Sequence, residues 1–194
     1  MTVLTKSYTA PKILRAEVLR YAKAKETPAL LELVDSCIAE AEKIFTYKVC
    51  YAELEVRKID SGVDFGVFRA SSESLAKNLR DAERAIVFGA TVGLDIDRLA
   101  AKYSRLSPSR ALIFNALGAE RIEALCDAFA RDIEAEYGAK LTPRFSPGYA
   151  DLPLSFQREI FTLLDLPKKI GITLTDTMLM SPTKSVTAFI GVEI

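Results

Sequence analysis

Apolar residues in the first part of the chain recur at helical spacing. Between Pro11 and Lys25, the residues Ile13, Leu14, Val18, Leu19 and Tyr21 fall near one face, which predicts a short amphipathic helix. Thr27-Pro28 is a good start for a second helix. Threonine caps free N–H groups, and proline at the first helical position gives up an N–H that would have no partner there. Leu30, Leu31, Val34, Ile38, Ala41 and Phe45 then share a face and carry this helix to about Ile44. The pattern switches next. In YKVCYAELEVRKI the residues Val49, Tyr51, Leu54, Val56 and Ile59 approach period two, which predicts a strand. SGVDFGVFRA holds a turn and a second short strand, with Val63, Phe65 and Val67 on one face, suited to pair with the first as a hairpin.

Ser71 and Ser72, followed by Leu75 and Leu79, open another helix. ERAIVFGATVG is continuously apolar between charges and Gly93, the mark of a strand covered on both faces. Leu94 to Tyr103 returns to helical spacing. The longest helix starts at Ser107-Pro108 and aligns Leu112, Leu117, Ile122, Leu125, Phe129 and Ile133. It stops at Tyr137-Gly138, where glycine takes the left-handed conformation that closes a helix. Leu154 to Leu164 reads as a short amphipathic helix, and ITLTDTMLM and SVTAFIGVEI as two final strands separated by Ser181-Pro182. Runs of strands interrupted by helices, with hairpins, predict an α+β fold and not a regular βαβ alternation. Residues 1–46 read as an N-terminal helical part and residues 47–194 as an α+β core of one domain.

Composition narrows the chemistry. The 194 residues are 49% hydrophobic, enough for one sizeable core. Lysine and arginine number 26, as do aspartate and glutamate, so no net charge draws the chain to nucleic acid or an anionic membrane. The most apolar run, Ala85 to Leu94, is too short to span a bilayer, and no signal-peptide pattern opens the chain. Cys37, Cys50 and Cys126 are widely separated, which fits reduced structural thiols in a cytoplasmic protein. The chain has no histidine, which excludes Ser-His-Asp and Cys-His catalysis and every histidine-ligated metal site. The phosphate-loop and dinucleotide fingerprints are absent, and the glycines of FGATVG have the wrong spacing for a nucleotide loop. Asp95 and Asp97 sit near a helix start, where the dipole accounts for them. Asp132, Glu134 and Glu136 read as a solvated face.

One loop does not fit the description of a plain connector. RFSPGY, from Arg144 to Tyr149, places proline at Pro147 and glycine at Gly148, so its turn is strongly constrained. Arg144 offers a planar fork suited to a carboxylate, and Tyr149 an aromatic face suited to a cation such as a sulfonium. The competing reading pairs Arg144 with a surface acid and half-buries Tyr149 as a packing residue.

The segment that begins there, RFSPGYADLPLSFQREIFTLLDLPKKIGITLTDTMLMSPTKSVTAFIGV, resembles the C-terminal activation domain of cobalamin-dependent methionine synthase. The shared elements are the RxxPGY loop, an amphipathic helix ending in Leu-Leu, then IGITLT, MLMSP and SVTA, in matching order over about fifty residues. Upstream, LCDAFARDIEAEYG resembles the family helix that carries an acidic ligand contact, and IVFGATVGLDIDRL resembles a segment of small, free-standing members. The resemblance implies a bent antiparallel sheet flanked by helices, and binding of S-adenosylmethionine. In the family, oxidised cobalamin is rescued by one electron and a methyl group from that ligand. By the same resemblance Arg144 takes the methionyl carboxylate, Asp127 faces the amino group, and Ser146, Gly148 and Tyr149 shape the pocket. Asp127 stands where the family usually has glutamate, and ADLPLS lacks the proline, cysteine and histidine of the long enzymes. Nothing in the chain resembles a cobalamin module. The implied partner is therefore a truncated methionine synthase or another corrinoid protein, with cobalamin reached only through it and flavodoxin or ferredoxin as electron donor. An accessory that docks on such a partner without S-adenosylmethionine is the alternative.

Overall fold

The computed structural model describes residues 1–193. In chain order it contains β1 (Val3–Ser7), α1 (Arg15–Ala22), α2 (Pro28–Ala41), β2 (Lys48–Glu55), β3 (Arg57–Ile59), β4 (Gly62–Asp64), β5 (Arg69–Ala70) and α3 (Glu73–Asn78). There follow β6 (Ala82–Thr91), α4 (Asp95–Leu106), α5 (Pro108–Tyr137), β7 (Lys140–Leu141), a 3₁₀ turn (Leu154–Phe156), α6 (Gln157–Leu164), α7 (Leu166–Ile170), β8 (Thr173–Leu174), β9 (Met180–Ser181) and β10 (Ser185–Glu193). The main sheet is antiparallel with order β1-β2-β6-β10-β7.

Strand β6 organises the molecule because its side chains alternate between two cores. Ile86, Phe88 and Ala90 join Phe114, Leu117, Leu125 and Phe129 of α5, together with residues of α1, α2 and α4. Ala85 and Val87 join Leu75 and Leu79, Ile160 and Leu164 of α6, and Leu166 and Ile170 of α7. A strand covered on both sides needs apolar residues at every position, which is why Ala85–Ala90 shows no alternation. Strand β10 repeats the division, with Ala188 and Ile190 on the α5 side and Phe189 on the other.

Helix boundaries follow local chemistry. The Thr27 hydroxyl accepts the Leu30 N–H at 3.3 Å at the start of α2, and Gly138 closes α5 with φ of 61°. Helix α1 starts at Arg15 and not at Pro11, because the preceding backbone is held by side chains of α5. Buried Arg121 donates to the carbonyls of Pro11 and Lys12 at 2.5 and 2.8 Å, and Glu120 accepts the Leu14 N–H at 3.2 Å. Helix α2 stops at Ala41, short of Ile44.

Three strand expectations change. Residues 1–46 contain β1 as well as the two helices, and β1 pairs antiparallel with β2 as an edge strand. The strand expected over Tyr47–Ile59 divides at Val56, whose N–H donates to the Glu83 carbonyl at 2.9 Å. Beyond it the chain leaves the main sheet, and β3, β4 and β5 form a small sheet of their own. ITLTDTMLM is not one strand but a short hairpin of β8 and β9, closed by Thr175, which accepts the Leu179 N–H on its hydroxyl at 3.0 Å. The side-chain bond stabilises a turn where a longer strand was expected.

Candidate functional site

The bend begins after β7. Phe145 exchanges two backbone hydrogen bonds with Phe189 of β10, at 2.9 and 2.8 Å, and buries its ring. Neighbours of an inward-facing residue in extended chain point the other way, so Arg144 and Ser146 leave the core. The turn is closed by Gly148 N–H to Leu152 O at 2.8 Å and Tyr149 N–H to Ser146 O at 3.1 Å. Gly148 has φ of 89°, a conformation that L side chains rarely adopt. Tyr149 is 67% exposed, with its ring edge-on to Phe145 at 5.4 Å between centroids. It is not a half-buried packing residue; most of its surface is open to solvent.

Two further contacts fix the bend against α3. The Asp151 carboxylate accepts the Ser72 hydroxyl at 2.5 Å and the Glu73 N–H at 2.8 Å, with longer bonds from the Ser74 N–H. The Ser72 hydroxyl and these N–H groups hold the Asp151 carboxyl at a pKa of about 2. At the other end Thr142 links Asn78 to the sheet: its hydroxyl meets Asn78 Oδ1 at 3.1 Å and accepts the Gly191 N–H at 2.8 Å.

Arg144 reaches across to α5. Nη1 donates to Asp127 Oδ1 and Nη2 to Glu123 Oε2, each at 2.6 Å. Four residues apart on one helix, Glu123 and Asp127 present their carboxylates on the same face. Burial pulls the Arg144 pKa down, but the Asp127 hydrogen bond and the surrounding negative charge more than offset it, so the net shift is upward. The surface-acid pairing thus holds for Arg144, whose side chain is still 28% exposed. The resemblance gave Arg144 the carboxylate and Asp127 the amino group of one amino-acid head; the structure brings the two side chains together, in direct contact with each other. Glu123 escaped that reading, although its four-residue spacing from Asp127 was available as a signal.

A hollow of about 670 Å³ opens between α3 and the bend, with Lys77, Asn78 and Arg80 on one side and Arg144, Phe145 and Tyr149 on the other. A second, of about 470 Å³, lies between Arg144, Glu134 of α5 and Ile190 of β10. Ser146, Gly148, Asp127 and Glu123 line neither, so Ser146 and Gly148 act on this space through the shape of the bend and the two acids through Arg144. A larger hollow, about 780 Å³, is a groove between α1 and α2 lined by Ile13, Leu14 and Ile38 with a charged rim. Size alone favours that groove. Convergent chemistry favours the Arg144 hollow, which is lined by a guanidinium, an aromatic side chain and a constrained backbone, with the two α5 carboxylates bound to the guanidinium from outside it.

The remaining candidates have structural places. Asp97 accepts the N–H and hydroxyl of Thr183, both at 2.7 Å, and ties the chain before β10 to α4. Asp132 is not simply solvated: it pairs with Lys6 of β1. FGATVG lies at the end of β6 and runs on to Gly93. Cys37, Cys50 and Cys126 are free and buried, and burial pushes the thiols of Cys50 and Cys126 up to about 11 and about 12. Among the described residues no group of three His, Cys, Asp or Glu side chains could hold a metal ion, and no helix is long and apolar enough to cross a membrane.

A family model described as vitamin B12 dependent methionine synthase, activation domain, matches residues 73–193. That span contains α3, both carboxylates of α5, the bend and β10. Among solved structures, the chain resembles the MetH reactivation domain bound to AdoHcy, with a TM-score of 0.70 and 16% identity, over 100% of this chain and 79% of that one. At that identity the likeness shows a shared fold, with its antiparallel sheet between helices. No curated protein matches the chain.

Proposed function

The chain belongs to the vitamin B12-dependent methionine synthase activation domain family, and from that premise we propose that it binds S-adenosylmethionine beside Arg144 and presents the methyl group for reductive methylation of cobalamin. In this reading it is a free-standing reactivation subunit, and the cobalamin is carried by a partner methionine synthase or another corrinoid protein. The observation that carries the proposal is the 670 Å³ hollow beside Arg144, a volume in the range of small-molecule clefts.

The ligand's charges match the groups present. The Arg144 N–H groups not given to Glu123 and Asp127 take the methionyl carboxylate. The free oxygens of Asp127 and Glu123 take the ammonium. The exposed ring of Tyr149 lies against the sulfonium or the base. The backbone from Ser146 to Gly148 holds these groups in register. No residue has to exchange a proton, so a chain without histidine suffices. Its contribution is to orient a reactive sulfonium. Cobalamin supplies the cobalt nucleophile when the partner is docked, and a flavodoxin- or ferredoxin-type donor supplies the electron.

One observation favours the second reading, an accessory that docks on a corrinoid protein without S-adenosylmethionine. Arg144 already has two internal carboxylate partners. Calorimetric titration decides between the two. Binding of S-adenosylmethionine, abolished in Arg144→Ala, supports the first reading; no heat at millimolar ligand leaves the second. The methyl-transfer step is read separately, as conversion of cob(II)alamin to methylcobalamin absorbance on a methionine synthase lacking its own activation domain, given reductant, S-adenosylmethionine and this protein.

A further inference from the structure

The bend beside the hollow continues into an apolar rim. Tyr149 is 67% exposed and Leu154 43%, and Ala150 and Pro153 are exposed with them. Leu154 packs on the bend, its Cδ1 3.1 Å from where a Cβ would stand on Gly148. Behind it Phe156 and Phe68 are half-buried and edge-on, with 5.3 Å between ring centroids. The rim has a fixed shape. Leu152 N–H donates to Tyr149 O at 3.1 Å and Phe156 N–H to Pro153 O at 3.0 Å. Ala150 is held at φ of 51°, a left-handed conformation that a residue with a Cβ keeps only where its surroundings impose it. Between Tyr149 and Phe156 the chain has a single charged residue, Asp151, and its carboxylate is taken up by Ser72 and Glu73. Apolar surface of fixed shape, without free charge, suits a protein partner.

Tyr149 and Ala150 also line the hollow, so this rim borders its mouth. In the S-adenosylmethionine reading the methyl carbon gains its bond to the partner's reduced cobalt as it loses its bond to sulfur, which leaves as a thioether with the electron pair. No part of either protein can stand between sulfur and cobalt, so the partner has to close over the mouth. The opposite rim carries Lys77, Arg80 and Asp81, whose charges are costly to take out of water. The apolar rim releases water at a gain. We propose that the rim of Tyr149, Ala150, Pro153 and Leu154, backed by Phe156 and Phe68, is the docking surface for the cobalt-bearing face of the corrinoid partner. This inference rests on the S-adenosylmethionine reading and adds to it the place where the partner is engaged.

The test compares wild type with Leu154→Asp and Pro153→Asp. Each is supplied with reductant, saturating S-adenosylmethionine and increasing amounts of a cob(II)alamin-loaded methionine synthase lacking its own activation domain. The rate of methylcobalamin formation gives the partner concentration for half-maximal rate, and calorimetry gives the affinity for S-adenosylmethionine. Both variants are expected to raise that partner concentration about ten- to hundredfold, the effect of setting an unpaired carboxylate against an apolar interface. Affinity for S-adenosylmethionine is expected to stay at the wild-type value. Leu154 also supports Gly148, so if Leu154→Asp loses the ligand, Pro153→Asp decides, since Pro153 is exposed and its carbonyl bond to Phe156 survives the change. An unchanged partner requirement in Pro153→Asp overturns the docking surface and leaves the S-adenosylmethionine reading standing. Light scattering of the protein alone covers the competing occupant: a dimer that both variants dissolve assigns the rim to a second copy and overturns the proposal. A wild type that neither binds S-adenosylmethionine nor methylates the cobalamin overturns the underlying reading, and the docking surface with it.

Discussion

Replacing Glu123 by glutamine should erode any preference for S-adenosylmethionine over its demethylated product. Glu123 and Asp127 each lie 2.6 Å from Arg144, so one cation is set against two anions. S-adenosylmethionine carries a sulfonium that the product, a thioether, lacks; the carboxylate and ammonium are common to both. A carboxylate that holds the ammonium sits about 7 Å from the sulfur along the methionyl chain. Coulomb attraction at that separation is about 2.4 kcal/mol at an effective dielectric of 20 and about 0.6 kcal/mol in bulk water. The Glu123 side chain is 41% exposed, which places it toward the watery end. The expected result is a fall of about three- to tenfold in the ratio of the two affinities. Glutamine keeps an oxygen for Arg144 Nη2, and any loosening of the guanidinium affects both ligands alike and cancels in the ratio. Titration of both ligands into both proteins gives that ratio directly. Repeating it at roughly 0.5 M salt should compress the wild-type preference, since screening acts on a partly exposed charge. A ratio that Glu123→Gln leaves unchanged refutes the electrostatic account of the site.

Other perturbations probe the frame. In Asp151→Asn the bend loses its anionic cap on α3, and the melting temperature should fall by a constant amount near neutral pH. Because the native carboxyl is depressed to about 2, its contribution is complete above the ordinary carboxylate range and lost as pH falls toward 2. The gap between the melting curves of Asp151→Asn and wild type should therefore close over that window, and a gap that persists at pH 2 contradicts the assignment. At Gly89 an added Cβ lies 2.7 and 2.8 Å from the Leu166 methyls, so Gly89→Ala should cost about 1–3 kcal/mol by overpacking, or about 2–12 °C in melting temperature. Alkylation of Cys50 and Cys126 at pH 8, followed by mass spectrometry, should proceed only as fast as the protein unfolds, since both thiols are buried and displaced upward in pKa.

Features governed by a few neighbouring residues were legible along the chain. Ser107-Pro108 and Tyr137-Gly138 mark the ends of α5 as the structure has them, because capping and left-handed closure are set within one turn. The unbroken apolar run of β6 announced a strand with a core on each side. The RFSPGY bend, too, was recognisable from Pro147 and Gly148 alone. Features that depend on partners far along the chain were not. Val56 ends β2 through a bond to Glu83, and α1 starts late because Arg121 and Glu120 hold the residues before it.

The same division runs through the candidate site. The chain by itself determined its residue types: a guanidinium in a stiff bend, an acid on a long helix, and no imidazole to move a proton. Tertiary structure decided their company. It brought Glu123 to Arg144 across 21 positions, and Asp151 to α3 across 77 to 79. It also opened a hollow between α3 and the bend. The physical reason is range. Dihedral preference, capping and periodicity act over a few bonds, whereas ion pairs and cavities act through space and exist only once the sheet has folded both ends of the chain together.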